Sequence, residues 1–408
     1  MVLKLNYSKE NSVSIAYAVA QGLYWMMVCC TVSLGSTYLS NRGYSTIGIG
    51  ALFAMAYLVA TLLQQVISVF TDSSYKVNVV DVLFIMGAVT AIDLLFACFT
   101  NGKSFATGFT FFIGAMVATV IQPFLNALNF YIEKYDIKTN YGVARAGGSF
   151  CFFIMSLLAG NLMKAISETA VSVLGFLVSA LFAGTIIYIH LCLKATGKEL
   201  TNDYDPFSAK ENDNFFSPDN IKSFVNKYKM FFLFLVALIG FIFGHLLLNN
   251  YLYQITVNVG GDEADVGGLL ALQAIVELPA MIFFSKLKDR LSSKQLLMIS
   301  AVFYFIKIFV VALAASVGML YVGMLFQAVS FAIYIPASVH FVDELMPQKD
   351  AVKGQAFVTI AMTIGNLVTS LFGGFLFRFA SVSATLWISV IITLCGTILA
   401  IYSLSKIE

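Results

Sequence analysis

Residues 230–248 read MFFLFLVALIGFIFGHLLL, a long apolar run without an Asp, Glu, Lys or Arg side chain. A helix needs about 20 predominantly apolar residues to cross the hydrocarbon core of a bilayer, so the run predicts a transmembrane helix. The rest of the chain has the same character, because 59% of its 408 residues are hydrophobic and 11% are charged, against about 25% charged in globular domains. This composition supplies roughly twelve spans, which excludes a soluble protein, a single-pass receptor and an anchored enzyme.

Charge and cysteine content narrow the classes further. The 24 basic and 22 acidic residues nearly balance, which leaves no basic stripe for nucleic acid. The six cysteines lie inside apolar runs without metal-ligand spacing or a loop pair suited to a disulfide, and we interpret them as small core residues. Neither a metal site nor a cofactor is predicted. The first apolar stretch is too long for a signal peptide, so it is expected to remain as the first span.

Twelve apolar segments, separated by Gly, Pro or charged clusters, predict twelve transmembrane helices. They lie near 14–39, 47–70, 77–99, 104–130, 142–165, 170–193, 229–257, 266–285, 294–314, 318–342, 354–377 and 382–404. With both termini in the cytoplasm, Arg42, Lys103, Lys164 and Arg378 fall in outer loops, Lys307 falls inside a span, and every other basic residue is cytoplasmic. This partition predicts a multi-pass protein of the cytoplasmic membrane with both termini cytoplasmic, because inner loops carry an excess of Lys and Arg.

A long polar segment after the sixth span divides the chain into two halves. The predicted domains are an N-terminal six-helix bundle (1–193), a cytoplasmic linker (194–228) and a C-terminal six-helix bundle (229–408). The halves repeat each other weakly, since spans four and ten each carry a central proline, Pro123 and Pro336. Such internal repeats are typical of secondary transporters. The predicted fold is an all-α polytopic membrane protein of two pseudo-symmetric six-helix bundles.

Three short motifs carry a resemblance to a known family. They are Ser45-Thr-Ile-Gly48 at the start of span two, Ile132-Glu133-Lys134 at the end of span four and Tyr141-Gly-Val-Ala-Arg145-Ala at the start of span five. Together with the two six-helix halves, they make the chain resemble the major facilitator superfamily over essentially its whole length. Within that superfamily it resembles the lactose permease and related sugar and oligosaccharide proton symporters.

Two ionisable residues stand in the middle of apolar spans, Glu277 in span eight and Lys307 in span nine. Because an unpaired charge in hydrocarbon is costly, we expect an ion pair between them, direct or through water. The resemblance implies a coupling carboxylate on span eight with a basic partner on span nine, so Glu277 is the predicted proton carrier. A static pair that only holds the helices together is the alternative. Asp93 in span three is a second candidate for proton coupling or for a structural polar contact.

Polar side chains at helical spacing predict the solute-binding faces. The candidates are Tyr17, Gln21, Tyr24, Trp25, Gln122, Asn126, Asn129, Arg145, Phe152, His245, Asn249, Tyr253, Gln273, Gln327, Tyr334 and Asn366. Amides and phenols can donate and accept hydrogen bonds, and an aromatic face such as that of Trp25 can stack on a sugar or a base. The resemblance implies that spans one, four, seven and ten line a central cavity, so these residues favour a neutral polyhydroxylated or heterocyclic solute.

The sequence also departs from the lactose permease pattern. The sugar-binding carboxylate of span four is replaced by Asn126 or Asn129, and Phe152 stands where a stacking tryptophan is expected, whereas Arg145 matches. The His and Glu of the proton relay on span ten align with Phe331 and Tyr334. Lactose itself is therefore not expected as the solute.

Loop residues Asp72, Asp289 and Arg290 match the Gly-x-x-x-Asp-Arg pattern of the superfamily, with serine in place of glycine. The resemblance implies that they form a charge lock that stabilises one state of the transporter and breaks during rocking of the two halves.

The favoured function is secondary active transport of a small neutral polar solute by alternating access, with proton symport, and Na⁺ stays open as the coupling ion. A proton-driven exporter of apolar or drug-like compounds and a non-transporting membrane receptor are the alternatives. An enzyme is not predicted, because no nucleophile–base set, metal cluster or phosphate loop appears. The expected partners are the solute, the ion and the bilayer, and the protein is expected to be a monomer that does not bind nucleic acid.

Overall fold

The computed structural model describes residues 2–73, 78–196 and 218–407, with side chains for 12–68, 78–196, 221–348 and 350–407. Every regular element within these ranges is helical. In chain order the α-helices are α1 (Val2–Val28), α2 (Gly35–Asn41), α3 (Thr46–Ser73), α4 (Val79–Ala97), α5 (Phe105–Glu133), α6 (Tyr141–Ala165), α7 (Thr169–Lys194), α8 (Pro218–Lys227), α9 (Lys229–Asn250), α10 (Leu252–Asn258), α11 (Glu263–Ile282), α12 (Phe284–Lys288), α13 (Ser293–Ala312), α14 (Val317–Leu325), α15 (Phe331–Leu345), α16 (Gln348–Phe379) and α17 (Val382–Ser405).

Twelve stretches of the described residues are long and apolar enough to cross a membrane. They are Ser12–Ser33, Thr46–Ser68, Val79–Ala97, Phe105–Glu133, Tyr141–Ala165, Thr169–Lys194, Lys229–Asn250, Glu263–Ile282, Ser293–Ala312, Val317–Leu345, Asp350–Phe379 and Val382–Ser405. The predicted all-α fold with twelve spans is confirmed, and most span ends are displaced by a few residues from the predicted ones.

Four predicted spans are interrupted, the eighth of them at Phe283 between α11 and α12. The first changes into a π-helical turn, Cys29–Ser33, before α2, and the seventh is divided at Tyr251 between α9 and α10. The tenth contains a 3₁₀ turn, Phe326–Ala328, between α14 and α15. These breaks contain neither Gly nor Pro, so hydropathy and composition give no sign of them.

Several spans begin at a side chain that accepts hydrogen bonds from the first helical turn. Asn78, Asp262 and Ser292 form capping boxes at the starts of α4, α11 and α13. These caps satisfy backbone N–H groups that have no partner within the helix. Polar capping residues at the ends of the apolar runs therefore fix where these spans begin.

The helices form two compact units. The first contains residues 1–44 and 55–209, and the second contains residues 45–54 and 210–408. The start of α3 is grouped with the second unit. In that unit Thr46 Oγ1 donates a hydrogen bond to the carbonyl oxygen of Gly374 in α16 (3.0 Å), and Gly50 lies directly against the Ser370 carbonyl.

Gly240 of α9 and Gly396 of α17 bring the backbones of these two helices into contact. A Cβ atom on Gly240 would lie 2.9 Å from Gly396 Cα, and a Cβ on Gly396 would overlap the backbone nitrogen of Phe241. Small residues let membrane helices approach closely and gain packing energy. The α9–α17 contact therefore depends on glycine at both positions.

Helix α8 lies inside the segment predicted as a polar linker, and it is attached to α16. The Phe224 ring stacks on Phe357 with ring centroids 5.7 Å apart. Lys227 Nζ donates to Asp350 Oδ2 at 2.7 Å, and the Tyr228 hydroxyl donates to the same oxygen at 2.8 Å. The end of the linker is thus fixed to the second unit by one aromatic and two polar contacts.

Candidate functional site

Four polar side chains form a continuous hydrogen-bonded network inside the second unit. Lys307 Nζ of α13 donates to Gln327 Oε1 at 2.6 Å, and Gln327 Nε2 donates to Glu277 Oε1 of α11 at 2.7 Å. Lys307 Nζ also lies 3.3 Å from Nδ1 of His245 in α9. All four side chains are buried, with at most 8% of their surface exposed. The predicted pair of Glu277 and Lys307 is therefore linked through an amide, where a direct or water-bridged contact was expected.

The network continues through His245 into an aromatic surround. The side-chain amide of Asn249 lies 3.1 Å from His245 Nε2, so both ring nitrogens have polar neighbours. The Tyr304 ring is 5.4 Å from the His245 ring and 6.3 Å from the Tyr334 ring. The Tyr304 hydroxyl is buried without a hydrogen-bond partner among the described residues. The network is buried, and its hydrogen bonds are electrostatically stronger in such surroundings than in water.

The break between α14 and α15 positions Gln327. Gln327 lies in the 3₁₀ turn, where the regular hydrogen-bond pattern of the helix is lost. The Ser330 hydroxyl donates to the Phe326 carbonyl at 2.8 Å, and the Ser300 hydroxyl of α13 donates to the Ser330 carbonyl at 2.7 Å. These hydroxyls satisfy buried backbone carbonyl groups at the break. Side-chain hydrogen bonds therefore support the irregular segment that carries Gln327.

A second cluster lies in the first unit around Trp25 of α1. The guanidinium carbon of Arg145 lies 3.9 Å from the centroid of the Trp25 ring, a cation–π contact. Arg145 Nη1 donates to the Ser149 hydroxyl at 2.9 Å, and the Phe152 ring meets Trp25 edge-on at 6.5 Å. Gly148 makes room for the indole, because a Cβ there would overlap Trp25 Cδ1. The structure thus brings together three predicted binding residues from two spans.

The other predicted residues of α1 continue this cluster toward the beginning of the helix. Gln21 Nε2 donates to the Tyr17 hydroxyl at 3.0 Å, and the Tyr24 hydroxyl donates to the Ala118 carbonyl at 3.1 Å. The Tyr24 ring lies 5.3 Å from Trp25. Tyr17, Gln21 and Tyr24 are fully buried, so their polar groups are directed into the protein.

Three predicted residues on α5 have other surroundings. Gln122 is exposed and Asn126 is half-buried. Asn129 is buried, but its Nδ2 donates to Glu133 at 3.0 Å and its Oδ1 accepts from the Thr139 hydroxyl at 2.5 Å. These contacts order the end of α5 and the loop after it.

Three further predicted residues of the second unit also contact partners outside the network. The Tyr253 hydroxyl donates to Glu263 at 3.4 Å, Gln273 Nε2 lies 2.8 Å from Met324 Sδ, and Asn366 Nδ2 donates to the carbonyl of Met362 in its own helix at 3.2 Å. Each contact involves a protein neighbour of the same unit, so these side chains remain separate from the four-residue network.

Asp93 and the loop residues lie apart from both clusters. Asp93 is buried in the last part of α4, in the first unit, and its Oδ2 has no hydrogen-bond partner among the described residues. Asp289 and Arg290 are exposed beyond α12. The ion pair observed at this loop joins Lys288 to Glu344 at 2.5 Å. The side chain of Asp72, the remaining predicted loop residue, lies outside the described residues.

Tyr304, whose ring packs against His245 beside the network, is not among the residues predicted from the sequence. It precedes Lys307 by three residues in α13, so both side chains project from the same helical face. That spacing from an intramembrane charge is the signal that identifies it.

Comparisons with known proteins give consistent matches. A family model described as MFS_1 like family matches residues 15–388. A mutant of the nucleoside transporter NupG superposes with a TM-score of 0.78 at 13% identity, over 96% of this chain and 99% of that chain. A mutant of the peptide transporter POT, in complex with alafosfalin, gives a TM-score of 0.70 at 12% identity, over 97% and 93% of the two chains. At these identities the likeness shows the fold.

One curated relative matches in part. The uncharacterized transporter YwbF of Bacillus subtilis (strain 168) is 23% identical over 175 residues, which are 43% of this chain and 44% of that protein. The family model covers most of the chain, and the matched proteins are transporters, as predicted. The chain therefore belongs to the MFS_1 like family and is a multi-pass membrane transporter of the major facilitator superfamily, not an enzyme.

Proposed function

We propose that the protein imports a small neutral polar solute, such as a sugar, an oligosaccharide or a nucleoside-like compound, together with a proton. The observation that carries the proposal is the buried network of Glu277, Gln327, Lys307 and His245. Ionisable side chains inside membrane proteins are costly, and they mark ion and substrate pathways. Proton coupling requires an ionisable side chain inside the membrane, whereas a contact that only holds two helices together does not.

Glu277 is the proposed proton carrier, and Lys307 is the positive group whose attraction opposes protonation. Gln327 holds the two side chains in one hydrogen-bonded chain. When Glu277 gains a proton it loses its negative charge, so the attraction that links α11 to α13 weakens. Proton binding is thereby coupled to a rearrangement of these helices, which is the requirement for symport.

The solute class follows from the polar and aromatic groups of the predicted binding faces. Trp25 offers a rigid aromatic ring held by Arg145 and Phe152, and Gln21 and Tyr17 offer groups that can donate and accept hydrogen bonds. The structural similarity to the nucleoside transporter NupG supports including nucleoside-like solutes. An exporter of apolar compounds would not need this set of amides and phenols.

We further propose that both termini are cytoplasmic, that the protein lies in the cytoplasmic membrane as a monomer, and that transport involves relative movement of the two six-helix bundles. Asp72, Asp289 and Arg290 are the proposed loop residues that stabilise one of the alternating states. The excess of basic residues in the predicted inner loops supports this orientation.

The test is proton movement in proteoliposomes that contain the purified full-length protein. Sugars and nucleosides are added to a weakly buffered outer solution whose pH is recorded. A transported solute is expected to make the outer solution more alkaline in wild type, because the proton enters with it. Glu277→Gln is expected to abolish this pH change while solute counterflow, which needs no net proton movement, continues.

The matched control is Glu263→Gln, which removes a carboxylate from the first turn of the same helix but outside the network. It is expected to retain the alkalinisation. Normal uphill accumulation of solute by Glu277→Gln would show that Glu277 is not the proton carrier. Outer acidification on addition of a transported compound would show export by antiport in place of symport.

A further inference from the structure

The carboxylate of Asp93 has surroundings that the proposed proton path does not explain. Its side chain is buried, with 9% of its surface exposed, and Oδ2 makes no hydrogen bond to a described residue. Asp93 lies about one turn before the end of α4. A buried carboxylate is costly unless a cation, a donor or a proton compensates it.

A small cavity lies next to this carboxylate inside the first unit. Its volume is about 20 Å³, and the oxygen-bearing side chains in its wall are Thr31, Tyr38, Thr110 and Ser172. A volume of this size accommodates one atom or molecule as large as water. The hydroxyls come from four separate segments of the chain, so they surround the cavity from different sides.

Gly114 connects the carboxylate to the cavity. It lies in the cavity wall, and a Cβ atom on Gly114 would be 3.3 Å from Asp93 Oδ2 and 3.4 Å from Thr31 Cγ2. The carboxylate oxygen and the Thr31 methyl group therefore approach the same point, while the Thr31 hydroxyl donates to the Met27 carbonyl at 2.9 Å and keeps its lone pairs for an ion. Glycine at this position leaves the space between them free of a side chain.

The π-helical turn brings α1 into the same place. Cys30 and Thr31 lie in the turn Cys29–Ser33 and both line the cavity. The Leu34 N–H donates to the Cys29 carbonyl, a bond across five residues, so the turn is wider than an α-helical one. Single π-helical turns in membrane and soluble helices occur frequently at functional sites.

The side chains that line the cavity carry no positive charge. Arg42 belongs to the same unit, and its guanidinium carbon lies 5.1 Å from the centroid of the Tyr38 ring. Its charge is already paired, because its nitrogens contact Glu168 at 2.8 Å and the Thr169 hydroxyl at 3.1 Å. One carboxylate with several hydroxyl oxygens is a set of hard ligands, which hard cations prefer over soft ones. A single carboxylate balances a single positive charge, whereas Ca²⁺ requires six to eight oxygen ligands.

We propose that Asp93, with the hydroxyls of Thr31, Tyr38, Thr110 and Ser172, binds one dehydrated Na⁺ ion inside the first unit. The ion replaces the missing hydrogen-bond partner of Oδ2 and neutralises the carboxylate. The site uses none of the residues of the Glu277 network, so it stands or fails independently of the proposed proton coupling.

The test is thermal unfolding of the purified full-length protein in detergent, at constant pH and ionic strength and without solute. Choline chloride is replaced stepwise by NaCl, and in a parallel series by KCl. The wild-type Tm is expected to rise with the Na⁺ concentration until the site is saturated, because an ion that binds the folded state stabilises it. Asp93→Asn is expected to lose this rise.

Two further variants keep the test decisive. Thr90→Val removes a buried hydroxyl of α4, the helix that carries Asp93. This hydroxyl donates to the Met86 carbonyl of its own helix, so the variant is expected to keep the Na⁺ response. Gly114→Ala places a methyl group beside Asp93 Oδ2 and is expected to raise the Na⁺ concentration needed for half of the Tm rise. This second variant retains the carboxylate, so it tests the site even where Asp93→Asn does not fold.

Two results would overturn the proposal. One is a wild-type Tm that responds equally to Na⁺, K⁺ and choline, as expected for an Asp93 that carries a proton in place of the ion. The other is a Na⁺ response that persists unchanged in Asp93→Asn.

Discussion

Gly148 is the residue on which the position of Trp25 depends. A Cβ at Gly148 would overlap the indole at Cδ1, whereas a Cβ at the neighbouring Gly147 would meet nothing within 4 Å. Gly148→Ala is therefore expected to push Trp25 away from Arg145 and to lower the free energy of unfolding by about 1–3 kcal/mol, the usual cost of overpacking. Thermal unfolding and intrinsic tryptophan fluorescence measure both effects.

Gly147→Ala is the control for this residue, since it adds the same methyl group in the same helix. It is expected to leave the stability and the fluorescence close to wild type. Equal behaviour of the two alanine variants would contradict the structural role assigned to Gly148.

Individual charges could be predicted from the sequence more easily than their connection. Glu277 and Lys307 interrupt apolar runs, and charges at such positions are rare enough to be noticed without a structure. Gln327 and His245 also appear among the predicted polar faces. Their joining into one network depends on the rotation of four helices about their axes, which an apolar pattern does not determine. Tyr304 gives a weaker signal, because a phenol is common in membrane helices.

At the scale of elements, the α9–α17 contact gives the clearest expectation. A Cβ on Gly396 would meet backbone atoms of Phe241 and Gly240, which cannot turn away as a flexible side chain can. Gly396→Ala is therefore expected to force α9 and α17 apart and to lower the free energy of unfolding by about 1–3 kcal/mol. The loss is measured as a fall in Tm.

Gly184→Ala supplies the comparison, since nothing lies within 4 Å of a Cβ at that glycine of α7. Alanine has the higher helix propensity, so this variant is expected to be neutral or slightly stabilising. A Gly396→Ala protein as stable as Gly184→Ala would mean that the two helices are not in backbone contact.

The attachment of α8 to α16 predicts unequal effects for its two charged partners. Asp350 accepts hydrogen bonds from both Lys227 and Tyr228, whereas the Lys227 side chain is 55% exposed. Exposed ion pairs contribute little to stability. Asp350→Asn is therefore expected to increase hydrogen exchange in α8 several-fold, and Lys227→Ala is expected to change it little.

Lys222→Ala, an exposed position on the same helix, is the control for this comparison. Similar exchange rates for all three variants would contradict the attachment through Asp350. Exchange is measured by mass spectrometry on peptides that cover 218–228.

The contact between Lys227 and Asp350 is also expected to be insensitive to physiological pH. The hydrogen bond that Lys227 donates to Asp350 raises the pKa of the Lys227 ammonium from 10.5 to about 12. A raised pKa in the folded state means that the contribution is complete below pH 10.5 and is lost as the pH rises through about 12. The attachment of α8 therefore does not provide a pH switch in the cell.

Hydropathy predicts the number and order of the spans, because crossing a bilayer requires a fixed length of apolar helix. It does not predict the breaks at Cys29–Ser33 and Phe326–Ala328, where side-chain hydroxyls replace lost backbone hydrogen bonds. It does not predict α8 either, since residues 218–227 are polar and become a defined element through the packing of Phe224 on α16.

For the whole molecule, the distribution of basic residues predicts the orientation in the membrane. A C-terminal fusion to green fluorescent protein is expected to fluoresce, and a C-terminal fusion to a periplasmic alkaline phosphatase is expected to be inactive, because the C-terminus is proposed to be cytoplasmic. Fusions after Lys103, in a predicted outer loop, are expected to give the opposite result. An active C-terminal phosphatase fusion would reverse the proposed topology.

The orientation of the Gln327 side-chain amide depends on the protonation states of both Glu277 and Lys307. Its oxygen accepts a hydrogen bond from Lys307, and a protonated ammonium can only donate. Its nitrogen donates to Glu277, and an ionised carboxylate can only accept. A protonated Glu277 instead offers a hydrogen, whose preferred partner is the amide oxygen. The Gln327 amide would then flip by about 180°, which exchanges its oxygen and nitrogen and removes the oxygen from Lys307. Protonation of Glu277 on α11 would thus cost Lys307 on α13 its hydrogen-bond acceptor, without transfer of a proton between the two residues.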